Sequence, residues 1–192
     1  MSKIKQDTDI FAAQPRKTVQ VTLQDGRIFE GPVGSTLEKF MHTAYPDPPA
    51  PIVAALVDER LRELTYPVTV DTHVTPILLT NSDGMRIYRR SLSFLLVTAV
   101  HELFPGTRLF VDHSLTFGGY FCQIAGRAPF TPPELEQLKK RMWEIVARDA
   151  PITKERMPLE QAQALFREMG HTDRIRLLRY RNKDYLTVYK LR

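Results

Sequence analysis

Arginine, tyrosine and histidine are the side chains with which this chain could do chemistry, and they are unevenly placed. Seven cations, Arg174, Arg176, Arg179, Arg181, Lys183, Lys190 and Arg192, stand in the last twenty-one residues against only Asp173 and Asp184. That segment alone accounts for the net charge of +5. Tyr180, Tyr185 and Tyr189 interleave with these cations. The pattern suits a nucleic-acid strand, because cationic groups meet phosphates while flat rings stack on bases. A solvated strand face with snorkelling side chains would show the same alternation. His113 lies between Asp112 and Ser114 and could act as a general base steered by a carboxylate, but no serine or cysteine nucleophile can be set beside it. His42, His73, His101 and His171 lack ligand spacing, so no metal is expected. The run from Gly31 to Thr36 has neither the lysine nor the spacing of a phosphate loop. No Gly-x-x-x-x-Gly-Lys-Ser/Thr occurs anywhere in the chain, which excludes phosphoryl transfer by that route.

The elements that must position these residues fit one or two small domains, since 192 residues at 43 % hydrophobic content can bury real cores. No apolar run approaches the roughly 20 residues that span a bilayer, and the first residues lack the apolar core of a signal peptide. The expectation is a cytoplasmic protein with no membrane partner. The single cysteine, Cys122, rules out an internal disulfide and reads as a packing residue. Residues 1–16 lack periodicity and are expected to be a flexible lead. Thr18 to Leu23 alternates as a strand, Asp25-Gly26 supplies a turn, and the chain returns through Arg27 to Glu30. Ser35 or Thr36 caps a helix with Leu37, Phe40, Met41 and Ala44 on its inner face. Strands are predicted over Ile52 to Val57, Leu61 to Leu64 and Val74 to Leu79.

Asn81 to Gly84 reads as the boundary to a second domain. There Leu92, Leu95, Leu96, Ala99, Val100 and Leu103 recur at helical steps, predicting a helix from about Ser91 to Leu103. Strands follow at Arg108 to Asp112 and Tyr120 to Ile124. Thr131-Pro132-Pro133-Glu134 opens a helix reaching about Arg148, with Leu135, Leu138, Met142, Ile145 and Val146 as its core stripe and Trp143 packed beside them. Ile152 to Met157 is extended, Pro158 to Met169 is a short helix, and Ile175 to Leu178 pairs as a strand with Tyr185 to Tyr189. The fold class is therefore α+β, with a domain over 17–81 and another over 82–192 whose helices pack on an antiparallel sheet.

Three stretches, VTLQDGRIFEGPVGSTLEKF, IVAALVDERLRELTYPV and HVTPILLT, resemble the TGS domain, a ubiquitin-like β-grasp module. Residues 84 to 190 resemble the second additional domain of threonyl-tRNA synthetase, an editing domain whose site helix begins with His-x-x-x-His. Arg90 and Phe94 occupy those two places here, and neither a guanidinium nor a phenyl ring can ligate a metal or accept a proton. The family's lysine falls near Arg174, its aspartate near Thr187 and its cysteine near Tyr189. The resemblance thus implies an editing-like fold stripped of catalytic residues. A pocket surviving there would be lined by Arg90, His113, Tyr120, Arg174 and Tyr189, the two guanidiniums suiting a phosphate or carboxylate.

The pattern MRIYRRSLSFLL, DHSLTFGGYFC and RIRLLRYRNKDYLTVYKL is also similar to the N-terminal half of bacterial uridine-kinase-like nucleoside kinases. That likeness implies a non-catalytic accessory module, free of cofactors itself, serving an attached uridine kinase. The kinase, with its ATP and Mg²⁺, would lie beyond Arg192, in a longer protein cut within the second domain. The alternative is an RNA-binding module using Arg176, Arg179, Arg181, Lys183, Tyr180 and Tyr185. An aminoacyl-tRNA editing hydrolase is the remaining reading.

Overall fold

The computed structural model describes residues 14–115, 119–170 and 172–191. Packing divides the chain into two compact units, Met1–Ser91 and Leu92–Arg192. The protein is α+β, with one mixed sheet and five helices among the described residues. None of those helices is long and apolar enough to cross a membrane.

The first unit contains β1 (Thr18–Leu23), β2 (Ile28–Pro32), α1 (Leu37–Ala44), β3 (Ile52–Val57), β4 (Arg60–Arg62) and β5 (Thr72–Leu78). The sheet order is β2-β1-β5-β3-β4, with β1 and β5 parallel and the other pairs antiparallel. Val19, Val21 and Leu23 alternate inward from β1 onto Leu37, Phe40, Met41 and Ala44 of α1, forming one buried cluster. Thr36 stands at the N-cap without a side-chain hydrogen bond. The first helical amides are met instead by loop carbonyls, Leu37 N donating to Tyr66 O at 3.0 Å and Glu38 N to Leu64 O at 2.9 Å. The β3–β4 turn places Asp58 and Glu59 at φ 45° and 63°, conformations that glycine or asparagine adopts more readily. Asp58 is held there because its carboxylate accepts the Thr72 hydroxyl at 2.6 Å and the His73 amide at 2.9 Å. These bonds, the Thr72 one first, hold its carboxyl below the usual carboxylate range.

Helix α2 spans Ser82–Leu103 and so begins nine residues before the predicted start at Ser91. The polar run read as a boundary forms its first turn. Asn81 O accepts the Met85 amide at 2.9 Å, its side chain accepts the Leu78 amide at 2.7 Å, and Asp83 sits at the positive helix end.

The second unit has β6 (Arg108–Ser114), β7 (Tyr120–Ala125), α3 (Pro132–Ala147), β8 (Ile152–Pro158), α4 (Leu159–Glu168), α5 (Thr172–Leu178) and β9 (Tyr185–Leu191). Its core joins Leu95, Ala99 and Val100 of α2 to Leu138 and Ile145 of α3. Three expectations are corrected. Ile175 to Leu178 is helical, because β9 already pairs along its whole length with β8, from Ile152 opposite Leu191 to Pro158 opposite Tyr185. In place of one antiparallel sheet there are two separate two-stranded ribbons, β6–β7 and β8–β9. On α3 the core covers only the Leu138 and Ile145 side of a broader apolar stripe, leaving Leu135 and Val146 exposed and Trp143 65 % exposed.

Candidate nucleic-acid interface

The β8–β9 ribbon gathers cations and aromatic rings that are distant in sequence. Residues directly opposite each other in an antiparallel pair share a face. The register sets Lys154 against Tyr189, Arg156 against Thr187, and Pro158 against Tyr185, so all six lie on one side. The Arg156 guanidinium lies over the Tyr185 ring at 4.9 Å, and Lys183 Nζ stands 5.8 Å from the same ring. Arg181 Nε donates to Tyr185 O at 2.9 Å, and Leu159 N donates to Asp184 O at 2.8 Å, which pins the turn entering β9 to the start of α4. The opposite face carries Thr153, Glu155 and Lys190, the last two paired at 2.5 Å. One face therefore brings cations and tyrosines together, and the other pairs Lys190 with Glu155.

Beyond the ribbon, α5 and the turn after it present Arg174, Arg176, Arg179 and Tyr180. The Arg174 guanidinium lies 5.5 Å over the Phe166 ring of α4. Arg176 and Arg179 are exposed, and Tyr180 is 86 % exposed. All six residues read from the sequence as a nucleic-acid surface thus lie on α5, on the following turn or at the start of β9. Lys154 and Arg156 belong with them although they lie far away in sequence, because the register of β8 against β9 brings them alongside. Their alternation in Thr153-Lys154-Glu155-Arg156 was the available signal.

The five residues expected to line a pocket are spread over several elements. Arg90 is exposed on the part of α2 that packs with the first unit. Tyr120 opens β7, Arg174 stacks on Phe166, and Tyr189 faces Lys154 across the ribbon. His113 belongs to β6, and its side chain lies outside those described. His171 also lies outside the described residues. A groove of about 660 Å³ does occur in the first unit, lined by Gln24, Asp25, Tyr45, Pro76, Leu78 and Asn81 among others.

The positions that would carry hydrolysis offer no imidazole, carboxylate or thiol for metal or water. Phe94 is half-buried one turn after Arg90. Thr187 is a neutral hydroxyl opposite Arg156, and Tyr189 stands where the editing family has a thiol. No group of three His, Cys, Asp or Glu side chains among the described residues could hold a metal ion. Cys122 is half-buried in β7, and burial raises its thiol pKa, which disfavours the nucleophilic thiolate.

The chain is similar to tRNA ligases. It is 32 % identical over 162 residues to the threonine–tRNA ligase of Rhodospirillum rubrum, a match covering 83 % of this chain and 25 % of the ligase. The corresponding enzyme of Thiobacillus denitrificans is 31 % identical over 162 residues, again 83 % of this chain and 25 % of the relative. That of Methylococcus capsulatus is 33 % identical over 152 residues, 78 % and 23 % respectively. The chain thus spans about a quarter of the length of these curated relatives. No protein-family model matches it. These relatives overturn the expected uridine-kinase parent, because they are ligases.

Proposed function

We propose that this chain is a non-hydrolytic RNA-binding module related to the threonine–tRNA ligases, a TGS-type β-grasp unit followed by an editing-like unit that has lost its chemistry. The observation that carries the reading is the β8–β9 face, where Arg156, Lys183 and Arg181 converge on Tyr185 beside Lys154 and Tyr189. The strand order β2-β1-β5-β3-β4 around a single helix supports the β-grasp assignment of the first unit. The names of the relatives point to tRNA as the RNA. Arg90, Phe94, Thr187 and Tyr189 support binding without cleavage, since none supplies the imidazole, carboxylate or thiol that would hold a metal or take the proton of an attacking water near neutral pH.

The test is tRNA binding by fluorescence anisotropy across a salt series. The wild-type chain is expected to bind with a steep salt dependence, because each phosphate contact releases counterions. Reversing Arg156 and Arg179 to glutamate is expected to weaken binding by at least about tenfold and flatten the salt slope. Neither residue lies in the buried core, so folding should be retained, as circular dichroism would verify. An affinity unmoved by both reversals, or no binding at low salt, overturns the proposal. Amino acid released from mischarged tRNA faster than in buffer alone would overturn its non-hydrolytic part.

A further inference from the structure

We infer that the RNA this surface takes is unpaired, and that Tyr180 is the platform on which one of its bases stacks. The inference rests on the RNA-binding reading above and adds what kind of RNA is bound and by which ring. The three tyrosines that look alike in sequence are held differently. Tyr185 lies between strand and turn with Arg156 and Lys183 against its ring and Arg181 on its carbonyl, so it organises the cations around it. Tyr189 lies within the ribbon opposite Lys154. Tyr180 is the most exposed of the three, at 86 % against 47 % for Tyr189.

Its backbone belongs to a hydrogen-bonded turn. Arg179 N, Tyr180 N and Arg181 N donate in succession to the carbonyls of Arg176, Leu177 and Leu178 at 3.3, 3.3 and 3.2 Å. This turn continues α5 with three-residue spacing, in which side chains at i and i+3 lie on one side. Leu177, 74 % exposed, therefore shares a side with Tyr180, while Leu178 is buried and anchors the turn from beneath. Arg176 and Arg179, exposed and also three residues apart, share the side next to this apolar pair.

A surface that met only phosphates would need the cations and not the ring or the leucine. Duplex RNA offers little to such a pair, because its bases are stacked within the helix and its major groove is deep and narrow. An unpaired nucleotide offers a base face for Tyr180 and Leu177 with its phosphates within reach of the flanking arginines.

The test compares a labelled 12-nucleotide single strand with the same strand annealed to its complement, against the wild-type chain, Tyr180→Ala and Tyr180→Phe. The wild type is expected to prefer the single strand. Tyr180→Ala is expected to lose about tenfold in single-strand affinity with an unchanged salt slope, and Tyr180→Phe to keep most of it. Wild-type binding that Tyr180→Ala leaves unchanged, or weakens equally for the duplex, overturns this inference alone and leaves the RNA-binding reading standing. Absence of binding by the wild type overturns both.

Discussion

Gly84→Ala is expected to destabilise the first unit by about 3 kcal/mol or more, above the usual range for an added core methyl. A Cβ at Gly84 would lie 2.0 Å from the Leu78 carbonyl oxygen, 2.8 Å from its carbon and 3.1 Å from Leu79 Cα. All three are backbone atoms at the end of β5, so no side chain can rotate away. Relief requires moving the first turn of α2 off the strand, which breaks the bonds from Leu78 N to the Asn81 side chain and from Met85 N to Asn81 O. Two other glycines separate this clash from backbone strain. Gly26 has φ +83° with nothing within 4 Å of a built Cβ, so Gly26→Ala should cost only about 1–2 kcal/mol of left-handed strain. At Gly119 the nearest atom is the Leu115 side chain at 3.9 Å, and Gly119→Ala should stay within about 0.5 kcal/mol. Thermal unfolding followed by circular dichroism would rank the three, with Gly84→Ala lowering the first unit's melting temperature by about 12–24 °C. A melting curve for Gly84→Ala that overlays the wild type would show that α2 does not start against β5 as described.

The second large effect is expected at Arg127, which precedes α3. Its guanidinium lies 4.8 Å over both the Phe104 and Phe130 rings, whose centroids are 5.0 Å apart, and it bonds Glu134 at 2.5 Å. Glu134 also accepts the Thr131 amide and hydroxyl, each at 2.8 Å, the reach-back half of a capping box. Arg127→Ala should therefore cost the second unit about 2 kcal/mol, and Arg127→Lys part of that, since an ammonium has no flat face to lie against both rings while bonding Glu134.

The same cluster makes a pH prediction. The Thr131 amide first, and then Arg127, lower the Glu134 carboxyl from its ordinary 4.5 to about 2. A group depressed in the folded state stabilises it fully above the unfolded value, and that contribution disappears as pH falls through the folded one. The stability difference between wild type and Glu134→Gln should hold steady above about pH 5.5 and shrink between 4.5 and 2. Urea titrations at pH 7, 4 and 2.5 would measure it. A difference that stays constant across the three would show that Glu134 is not held ionised by these partners.

What was legible in the sequence was local. The hairpin at Asp25-Gly26, the inner face of α1 and the start of α3 at Thr131 each follow from a few adjacent residues whose backbone preferences and apolar spacing agree, and the structure forms all three. The short runs were less readable. Ile175 to Leu178 satisfies a strand and a helix equally, and the choice fell to β8 taking the whole edge of β9. Polar residues around Asn81 resemble both a linker and a helix start, and contact with the end of β5 decided for the helix.

The candidate interface divides in the same way. Cation and tyrosine content, and the absence of imidazoles at residues 90 and 94, could be read from residue types alone, because charge and lone pairs belong to the side chain wherever it sits. Which rings are exposed, and which cations meet them, could not. Lys154 and Arg156 reach Tyr185 and Tyr189 only through a pairing that spans about thirty residues, and Trp143 is exposed because no element among the described residues covers that side of α3. Residue identity and short-range periodicity determine chemistry and local backbone. Burial and partnership depend on what the rest of the chain brings alongside, and that was decided by the tertiary structure alone.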